Sequence, residues 1–181
     1  SFVVNNYLMG KEPFPFDLLY WNDDSTNMPA AMHSFYLRKM YRDNLLTVPG
    51  GISMNDVPVD IGKIDIPVYF LSTREDHIAP WKATYAGASH LIGGKNKTFT
   101  LAASGHIAGV VNPPAQKKYC YWTSTDLPMD PDAWLHSAQE QDGSWWPHWE
   151  KWLRGRSGKE IPARAPGSDK YPSIEDAPGS Y

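Results

Sequence analysis

The sequence predicts an α/β fold in which a mostly parallel sheet is flanked by helices. Two apolar, β-prone runs, residues 64–71 and 98–102, each end in a polar turn, and a helical pattern lies between them. Strand, helix and strand in alternation are typical of parallel strands joined by a crossover helix. Because the loops at the carboxyl ends of such strands carry the chemistry of α/β proteins, we expect a functional site in these two turns.

Composition narrows the classes of protein to consider. The chain has 181 residues, of which 41% are apolar, and this suits a globular protein with one core. A net charge of -3 without long basic runs argues against a nucleic-acid partner, and no apolar stretch is long enough to predict a membrane span. The chain starts at Ser1 without an initiator Met, which predicts a fragment or a processed chain. The lone Cys120 excludes an internal disulfide and suits a reducing, cytoplasmic setting.

The first quarter of the chain predicts one helix after an irregular segment. Residues 1–28 are rich in aromatic side chains and are broken by prolines, which prevents a regular helix there. Thr26 or Asn27 is predicted to cap a helix over residues 30–46, with Pro29 in its first turn. A Pro-Gly-Gly stretch is predicted to end it.

Two further helices are predicted by their apolar faces. The helix after Pro80 places four apolar side chains on one face: Trp81, Tyr85, Ala88 and Leu91. Near the end, Ser144 is predicted to cap a helix with Pro147 in its first turn, and Gly155 to close it. That helix presents Trp145, Trp149 and Trp152 on one face, which we expect to pack against the sheet. Residues 156–181 form a tail rich in proline, glycine and charge.

Each of the two polar turns holds a candidate catalytic side chain, and the order of the two along the chain is informative. Asp76 follows the first predicted strand and His106 follows the next. In α/β-hydrolases the nucleophile comes first in the chain, the acid follows a late strand, and the base follows the last strand. The order therefore predicts the acid and base of a catalytic triad in the second half of such a fold. Two other interpretations stay open: Asp76 as a helix cap, and His106 as a structural or solvated loop residue.

The nucleophile of such a triad is missing from the sequence. The chain contains neither G-x-S-x-G nor G-x-C-x-G, the small-residue motif of a nucleophile elbow. Cys120 follows the histidine and has no flanking glycines, so we predict a small buried residue. We expect the nucleophile upstream of residue 1. No metal or cofactor is expected, since ligand motifs such as H-E-x-x-H and G-x-G-x-x-G are absent.

Several segments resemble one enzyme family. Residues 74–81 (REDHIAPW) and 105–114 (GHIAGVVNPP) closely resemble the acid and base segments of polyhydroxyalkanoate synthases. The other similar segments are residues 2–8 (FVVNNYL), 17–22 (DLLYWN), 36–38 (YLR), 145–149 (WWPHW) and 151–153 (KWL). The last two are similar to class I members, which act with a single kind of subunit. The resemblance spans nearly the whole chain.

The resemblance implies an acyltransferase that polymerises (R)-3-hydroxyacyl groups from coenzyme A thioesters and releases coenzyme A. It implies a cysteine nucleophile upstream, with His106 generating the thiolate. Asp76 either orients His106 or helps to activate the hydroxyl group of the next unit. The domains implied are part of a cap at residues 1–48, the C-terminal half of an α/β-hydrolase core at 49–155, and an extended tail at 156–181. Coenzyme A comes only as part of the substrate, so no separate cofactor is implied.

The resemblance also implies partners and minor site candidates. We expect a homodimer with contacts through the cap, in the cytoplasm and associated with polymer granules. Asp24 in the cap is a candidate for a secondary functional residue, although a solvated loop aspartate is favoured. His33 is expected to pack, and His77 to shape the loop beside the acid.

Two rival functions fit the same residues. An esterase or polyester depolymerase with an upstream serine would share the order of acid and base. Alternatively, the chain is an inactive fragment that only dimerises or binds polymer, and we expect the isolated chain to be inactive.

Overall fold

The computed structural model describes residues 3–12 and 26–176 of the chain. The chain divides into two compact units, Ser1–Gly62 and Lys63–Tyr181. The described part of the first unit consists of short helical segments and a small hairpin, and the second unit contains a four-stranded sheet with helices. Among the described residues, no helix combines the length and the apolarity needed to cross a membrane.

The predicted helix of the first unit forms, but its ends differ from the prediction. Helix α1, Ala30–Phe35, continues in π-helical turns as Tyr36–Arg42. Pro29 is the N-cap residue and no side chain caps the helix, so the predicted cap by Thr26 or Asn27 is wrong. The helix stops before residue 46, since Asn44 adopts a left-handed conformation with φ of 49°. The remaining segments are Val3–Leu8, Leu45–Thr47, and the antiparallel strands β1, Ser53–Met54, and β2, Val57–Pro58.

Most side chains of the first unit's helical segments are exposed. His33 is exposed on α1, so the expectation that it packs is wrong for this structure. Ile52, which precedes β1, is buried. Asp24 and the family-like segment 17–22 lie outside the described residues.

The sheet of the second unit has the order β3-β4-β5-β6. β3 and β4 are parallel, whereas β4 with β5 and β5 with β6 are antiparallel. The α/β class is thus confirmed, and the described sheet is mixed in direction. The strands are β3, Val68–Thr73; β4, Lys97–Ala102; β5, Cys120–Thr123; and β6, Gln139–Asp142. The first strand starts four residues later than predicted, immediately after Pro67, which has no N–H for a ladder.

β5 and β6 were not predicted, and their sequences explain why. All four side chains of β6 are exposed and polar, so no apolar alternation marks this strand. Helix α3, Pro131–Ser137, was missed as well, although Asp130 caps it by accepting a hydrogen bond from the Asp132 N–H. It is one short helix of two turns, for which hydrophobic periodicity gives little information.

One face of the sheet carries an aromatic core. Helix α2, Trp81–Ala86, continues in π-helical turns to Leu91 as predicted, and buries Trp81, Tyr85 and Ala88. The Phe99 ring lies 5.0 Å from the rings of both Tyr85 and Trp134 in edge-to-face geometry. The whole cluster consists of Trp81, Tyr85, Ala88, Phe99, Leu101, Trp122 and Trp134. It holds α2 and α3 against β4.

The opposite face carries helix α4, Trp146–Arg154. Tyr69 of β3 contacts the rings of Trp145 and Trp152 at 6.3 and 5.5 Å, which confirms the predicted packing for two of the three tryptophans. The Trp149 ring is 41% exposed. The helix ends at Gly155 as predicted, and Ser144 accepts a hydrogen bond from the Trp146 N–H although Trp145 is the cap residue.

A partly buried chain of hydrogen bonds connects α4 to the sheet. Thr100 donates to the Tyr69 hydroxyl at 2.8 Å, and that hydroxyl lies 2.8 Å from His148 Nδ1. Burial raises the pKa of Tyr69 to about 12. Burial, together with the nearby Lys151 ammonium, lowers the pKa of His148. Tyr69 therefore stays a phenol and donates to a neutral imidazole at neutral pH.

The aromatic core predicts that truncation of one buried side chain on β4 strongly destabilises the fold. Leu101 is fully buried, so we expect Leu101→Ala to lower the free energy of unfolding by about 2–5 kcal/mol. The control is Ile161→Ala, since Ile161 is 72% exposed and its truncation should cost less than about 0.5 kcal/mol. Urea denaturation measures both, and equal effects of the two substitutions would contradict the assigned core.

Candidate active site

Two loops run side by side at the carboxyl ends of β3 and β4. We call residues 74–80 the acid loop and residues 103–113 the base loop. The Arg74 N–H donates to the Ala102 carbonyl at 2.8 Å, and the Glu75 N–H donates to the Ser104 carbonyl at 3.1 Å. These bonds extend the parallel pairing past the last residues of the strands. Residues on the two loops are therefore held close together.

Asp76 is fixed by its own loop. Its Oδ1 accepts hydrogen bonds from the N–H groups of Ile78 and Ala79, both at 2.9 Å. The Ala79 N–H holds the pKa of Asp76 below its usual range, and the Ile78 N–H and the His106 imidazole act in the same direction against partial burial. The next helix begins at Trp81 with Pro80 as its cap residue and without a side-chain cap. Asp76 thus shapes its loop and is not the cap of α2.

His106 lies next to Asp76, as the order of acid and base predicts. Its Nδ1 is 3.6 Å from Asp76 Oδ1, within ion-pair distance but longer than a hydrogen bond. The Asp76 side chain is 12% exposed and that of His106 is 38% exposed, so the imidazole is the more accessible partner. With Nδ1 facing the carboxylate, Nε2 lies on the far side of the ring. A triad base needs this orientation, and catalytic hydrogen bonds often shorten only when substrate binds.

The base loop turns sharply around His106. Ser104 has a positive φ of 74°, and the Gly109 N–H donates to the Gly105 carbonyl at 2.8 Å. A Cβ on Gly109 would lie 2.5 Å from the Ala103 carbonyl oxygen and 2.6 Å from Thr73 Cγ2. Only glycine fits at this position, so the loop is packed directly against the end of β3.

Two tryptophans also support the base loop. Trp145 donates from Nε1 to the carbonyls of Gly109 and Val110, both at 3.2 Å, and Trp146 donates from Nε1 to the Val110 carbonyl at 2.9 Å. Sequence reasoning missed this role. The two adjacent tryptophans were visible in the sequence, but the carbonyls that they bind lie 35 or 36 residues earlier in the chain.

Cys120 does not have the properties of a nucleophile. It lies on β5, half-buried against the aromatic core. Burial raises the pKa of Cys120 to about 11, and the Glu140 carboxylate acts in the same direction. The thiol is therefore protonated at neutral pH, whereas attack requires a thiolate. The interpretation of Cys120 as a small residue of the interior is consistent with this environment.

The remaining candidates add no chemistry to the pair. His77 is exposed beside the acid. Within residues 3–12 and 26–176, no three His, Cys, Asp or Glu side chains are grouped so that they could hold a metal ion. Exposed apolar side chains flank the pair instead: Ile78, Ile107, Val110 and Val111.

The close packing of Gly109 predicts a position-specific effect. We expect Gly109→Ala to lower the free energy of unfolding by about 1–3 kcal/mol, because the added methyl group meets backbone on one side and Thr73 on the other. Gly105→Ala is the matched control in the same loop, since its Cβ would meet nothing within 4 Å. Denaturant unfolding of the two variants tests this, and equal stability of both would contradict the described loop.

The lowered pKa of Asp76 predicts how acid acts on the fold. Its folded pKa lies below the unfolded value, so its contribution to stability is present above about pH 4 and is lost as the pH falls through the folded pKa. We expect Asp76→Asn, which keeps an oxygen acceptor for Ile78 and Ala79, to weaken the dependence of stability on pH below about pH 4. Denaturation midpoints between neutral and acid pH measure this, and parallel curves for both proteins would refute it.

Comparison with known proteins identifies the family. No protein-family model matches the chain. Curated proteins do match it. Among them are the poly(3-hydroxyalkanoate) polymerase subunit PhaC of Rhizobium meliloti, with 53% identity over 99% of the chain; that of Cupriavidus necator, with 50% over 100%; and poly(3-hydroxyalkanoate) polymerase 1 of Ectopseudomonas oleovorans, with 41% over 100%.

The chain covers 29%, 31% and 32% of the length of these three relatives, so it spans about a third of each. The similarity extends from one end of the chain to the other and includes both loops that hold Asp76 and His106. The chain therefore belongs to the polyhydroxyalkanoate synthase family and corresponds to the C-terminal part of a class I synthase.

Proposed function

We propose that this chain supplies the acid and the base of an acyltransferase that polymerises (R)-3-hydroxyacyl groups from coenzyme A thioesters. The observation that carries the proposal is the pair of Asp76 and His106, 3.6 Å apart at the carboxyl ends of two parallel strands. The relatives that match along nearly the whole chain are named poly(3-hydroxyalkanoate) polymerases. Their name supports hydroxyacyl polymerisation over other acyl-transfer reactions.

The first half of the reaction forms an acyl-enzyme. We propose a cysteine outside these 181 residues as the nucleophile, in a G-x-C-x-G type of turn. His106 Nε2 takes the thiol proton, and the thiolate attacks the carbonyl carbon of the substrate thioester. The bond between that carbon and the sulfur of coenzyme A breaks, and the leaving thiolate recovers the proton from His106. The products of this half are free coenzyme A and a hydroxyacyl group on the enzyme.

The second half extends the polymer. The hydroxyl group of another 3-hydroxyacyl unit attacks the acyl-enzyme, His106 takes the hydroxyl proton, and the ester forms as the cysteine sulfur leaves and is reprotonated. Of the two roles open for Asp76, orienting His106 has the better support. Its Oδ1 faces Nδ1 of the imidazole and is held in place by two backbone N–H groups.

The surroundings of the pair suit an apolar substrate. Ile78 and Ile107 are 66% and 45% exposed, one on each loop and each within two residues of a proposed catalytic side chain. An aliphatic hydroxyacyl chain removes such surfaces from water as it binds. An apolar surface of this kind would also exclude water from the acyl-enzyme, and this would favour polymer extension over hydrolysis.

We also propose the wider organisation that the resemblance implies. We propose an α/β-hydrolase core over residues 49–155, part of a cap over residues 1–48 and an extended tail over residues 156–181. The exposed apolar side chains of the α1 region, such as Met32, Tyr36 and Leu37, support a surface that another chain covers, as in a homodimer. We also propose that the protein works in the cytoplasm at the surface of polymer granules.

The proposal predicts large losses of activity at two positions. In the full-length protein given (R)-3-hydroxybutyryl-CoA, we expect His106→Ala to slow coenzyme A release by roughly 10³-fold or more, since the thiol loses its base. We expect Asp76→Asn to slow it by roughly 10²- to 10⁴-fold, because the imidazole loses its orienting charge. A thiol-reactive dye follows release, and polymer is weighed or stained. The control is His136→Ala, since His136 is exposed on α3.

The products decide between this reaction and its rivals. Coenzyme A release with polymer in the wild type, and its loss in His106→Ala alone among the histidine variants, is the expected result. Coenzyme A release with free hydroxy acid and no polymer would assign the chain to a hydrolase. A wild-type protein that releases no coenzyme A would overturn the proposed function.

A further inference from the structure

The base loop is held at its far end by side chains that belong to another element. Trp145 and Trp146 stand at the start of α4, and their indole N–H groups make three hydrogen bonds to the Gly109 and Val110 carbonyls. These carbonyls come three and four residues after His106. Trp145 is buried, with 8% of its surface exposed, so its bond to the Gly109 carbonyl is shielded from competing water, whereas the bond from Trp146 to Val110 is exposed.

We propose that Trp145 and Trp146 are positioning residues for the base, and that they fix His106 by clamping the end of its loop. The kinetic part of this inference rests on the proposed function, whereas the clamp itself is a property of the fold. In the described part of the chain neither indole N–H donates to Asp76 or His106, so both tryptophans act through the loop backbone.

The clamp links the base to the same strand that carries the acid. Asp76 follows β3 directly along the chain. The base loop is also linked to β3 indirectly, through the tryptophans and α4. Tyr69 of β3 packs against the Trp145 ring, and the Tyr69 hydroxyl lies 2.8 Å from His148 Nδ1 on α4. The distance between acid and base thus depends on the docking of α4 against Tyr69, as well as on the β3–β4 ladder.

Few bonds from other elements reach the part of the loop next to His106. The turn around His106 is closed by the bond from the Gly109 N–H to the Gly105 carbonyl, which involves only the loop itself. Beyond the turn Val111 is exposed, and the buried Asn112 donates to the Lys118 carbonyl, so the two tryptophans share the support of the loop's far end with Asn112. A shift of a catalytic group by about 1 Å costs roughly 10²-fold in rate, so a small change in the loop is measurable.

Trp149 provides a matched control on the same helix. It is also a tryptophan, its ring lies 5.9 Å from the Trp145 ring, and it is 41% exposed. Within the described residues its N–H makes no hydrogen bond to the base loop. Trp→Phe at this position therefore removes the same atoms and leaves the three hydrogen bonds of the clamp in place.

The first test is kinetic and uses the full-length protein. Trp146→Phe removes one donor, and the double variant Trp145→Phe/Trp146→Phe removes all three bonds, so that neither tryptophan compensates for the other at Val110. We expect kcat for coenzyme A release to fall roughly 10-fold in Trp146→Phe and up to roughly 100-fold in the double variant, with KM changed less than about 3-fold. Trp149→Phe should keep both constants close to wild type.

The second test does not require activity. Hydrogen–deuterium exchange of the amides of Gly109 and Val111 reports opening of the base loop, and we expect it to be about 10-fold faster in the double variant than in Trp149→Phe. Urea denaturation of the same proteins shows whether the whole fold has weakened. Faster exchange confined to the base loop, together with a loss in kcat, supports the clamp.

Other patterns overturn the inference. Unchanged exchange in the loop, unchanged kcat, or a loss of activity that follows global unfolding would each refute it. If the wild-type protein turns over no hydroxyacyl-CoA, the proposed function fails, and the exchange of the base loop alone then decides whether the two indoles hold it.

Discussion

The parallel pairing of β3 with β4 is the constraint on which the site depends. Six residue pairs, from Val68 with Lys97 to Thr73 with Ala102, set the register, and two more backbone hydrogen bonds carry it into the loops. In this register Asp76 lies three residues past the end of β3, and His106 four residues past the end of β4. A slip by one residue would turn every side chain of one strand to the other face and would separate Asp76 from His106.

The two faces of the β3–β4 ladder have different structural roles: one packs against the aromatic core and the other contacts α4. Phe99 and Leu101 point to the aromatic core, where edge-to-face rings fill space between the sheet, α2 and α3. Thr100 points to the other face and joins Tyr69 in a partly buried chain of hydrogen bonds that ends on α4. The apolar face supplies most of the burial that stabilises the unit, while the polar face specifies the placement of α4.

The sequence predicted the parts of the fold that have strong local patterns. The strands that became β3 and β4 were predicted because they are short apolar runs, and the helices after Pro80 and near Trp149 because their apolar residues recur on one face. The close approach of Asp76 and His106 followed from their positions after two parallel strands. β6 was not predicted because all its side chains, such as Glu140, are polar and exposed, so the strand has no apolar pattern. The bonds from Trp145 and Trp146 to the base loop were not predicted either, since a contact across more than 30 residues leaves no local pattern.

The polar character of β6 has a consequence for how the sheet can grow. Among the described strands, β3 and β6 form the two edges of the sheet. β6 presents Glu140 and Asp142 with two glutamines, and like charges disfavour the addition of an identical strand. β3 has partly or fully buried side chains throughout, ending in the buried Ser72 and Thr73, and lacks such charges. The charges on β6 therefore disfavour the addition of another strand at that edge. The β3 edge lacks them and can pair with a further strand, so the sheet can be extended at one edge and not at the other.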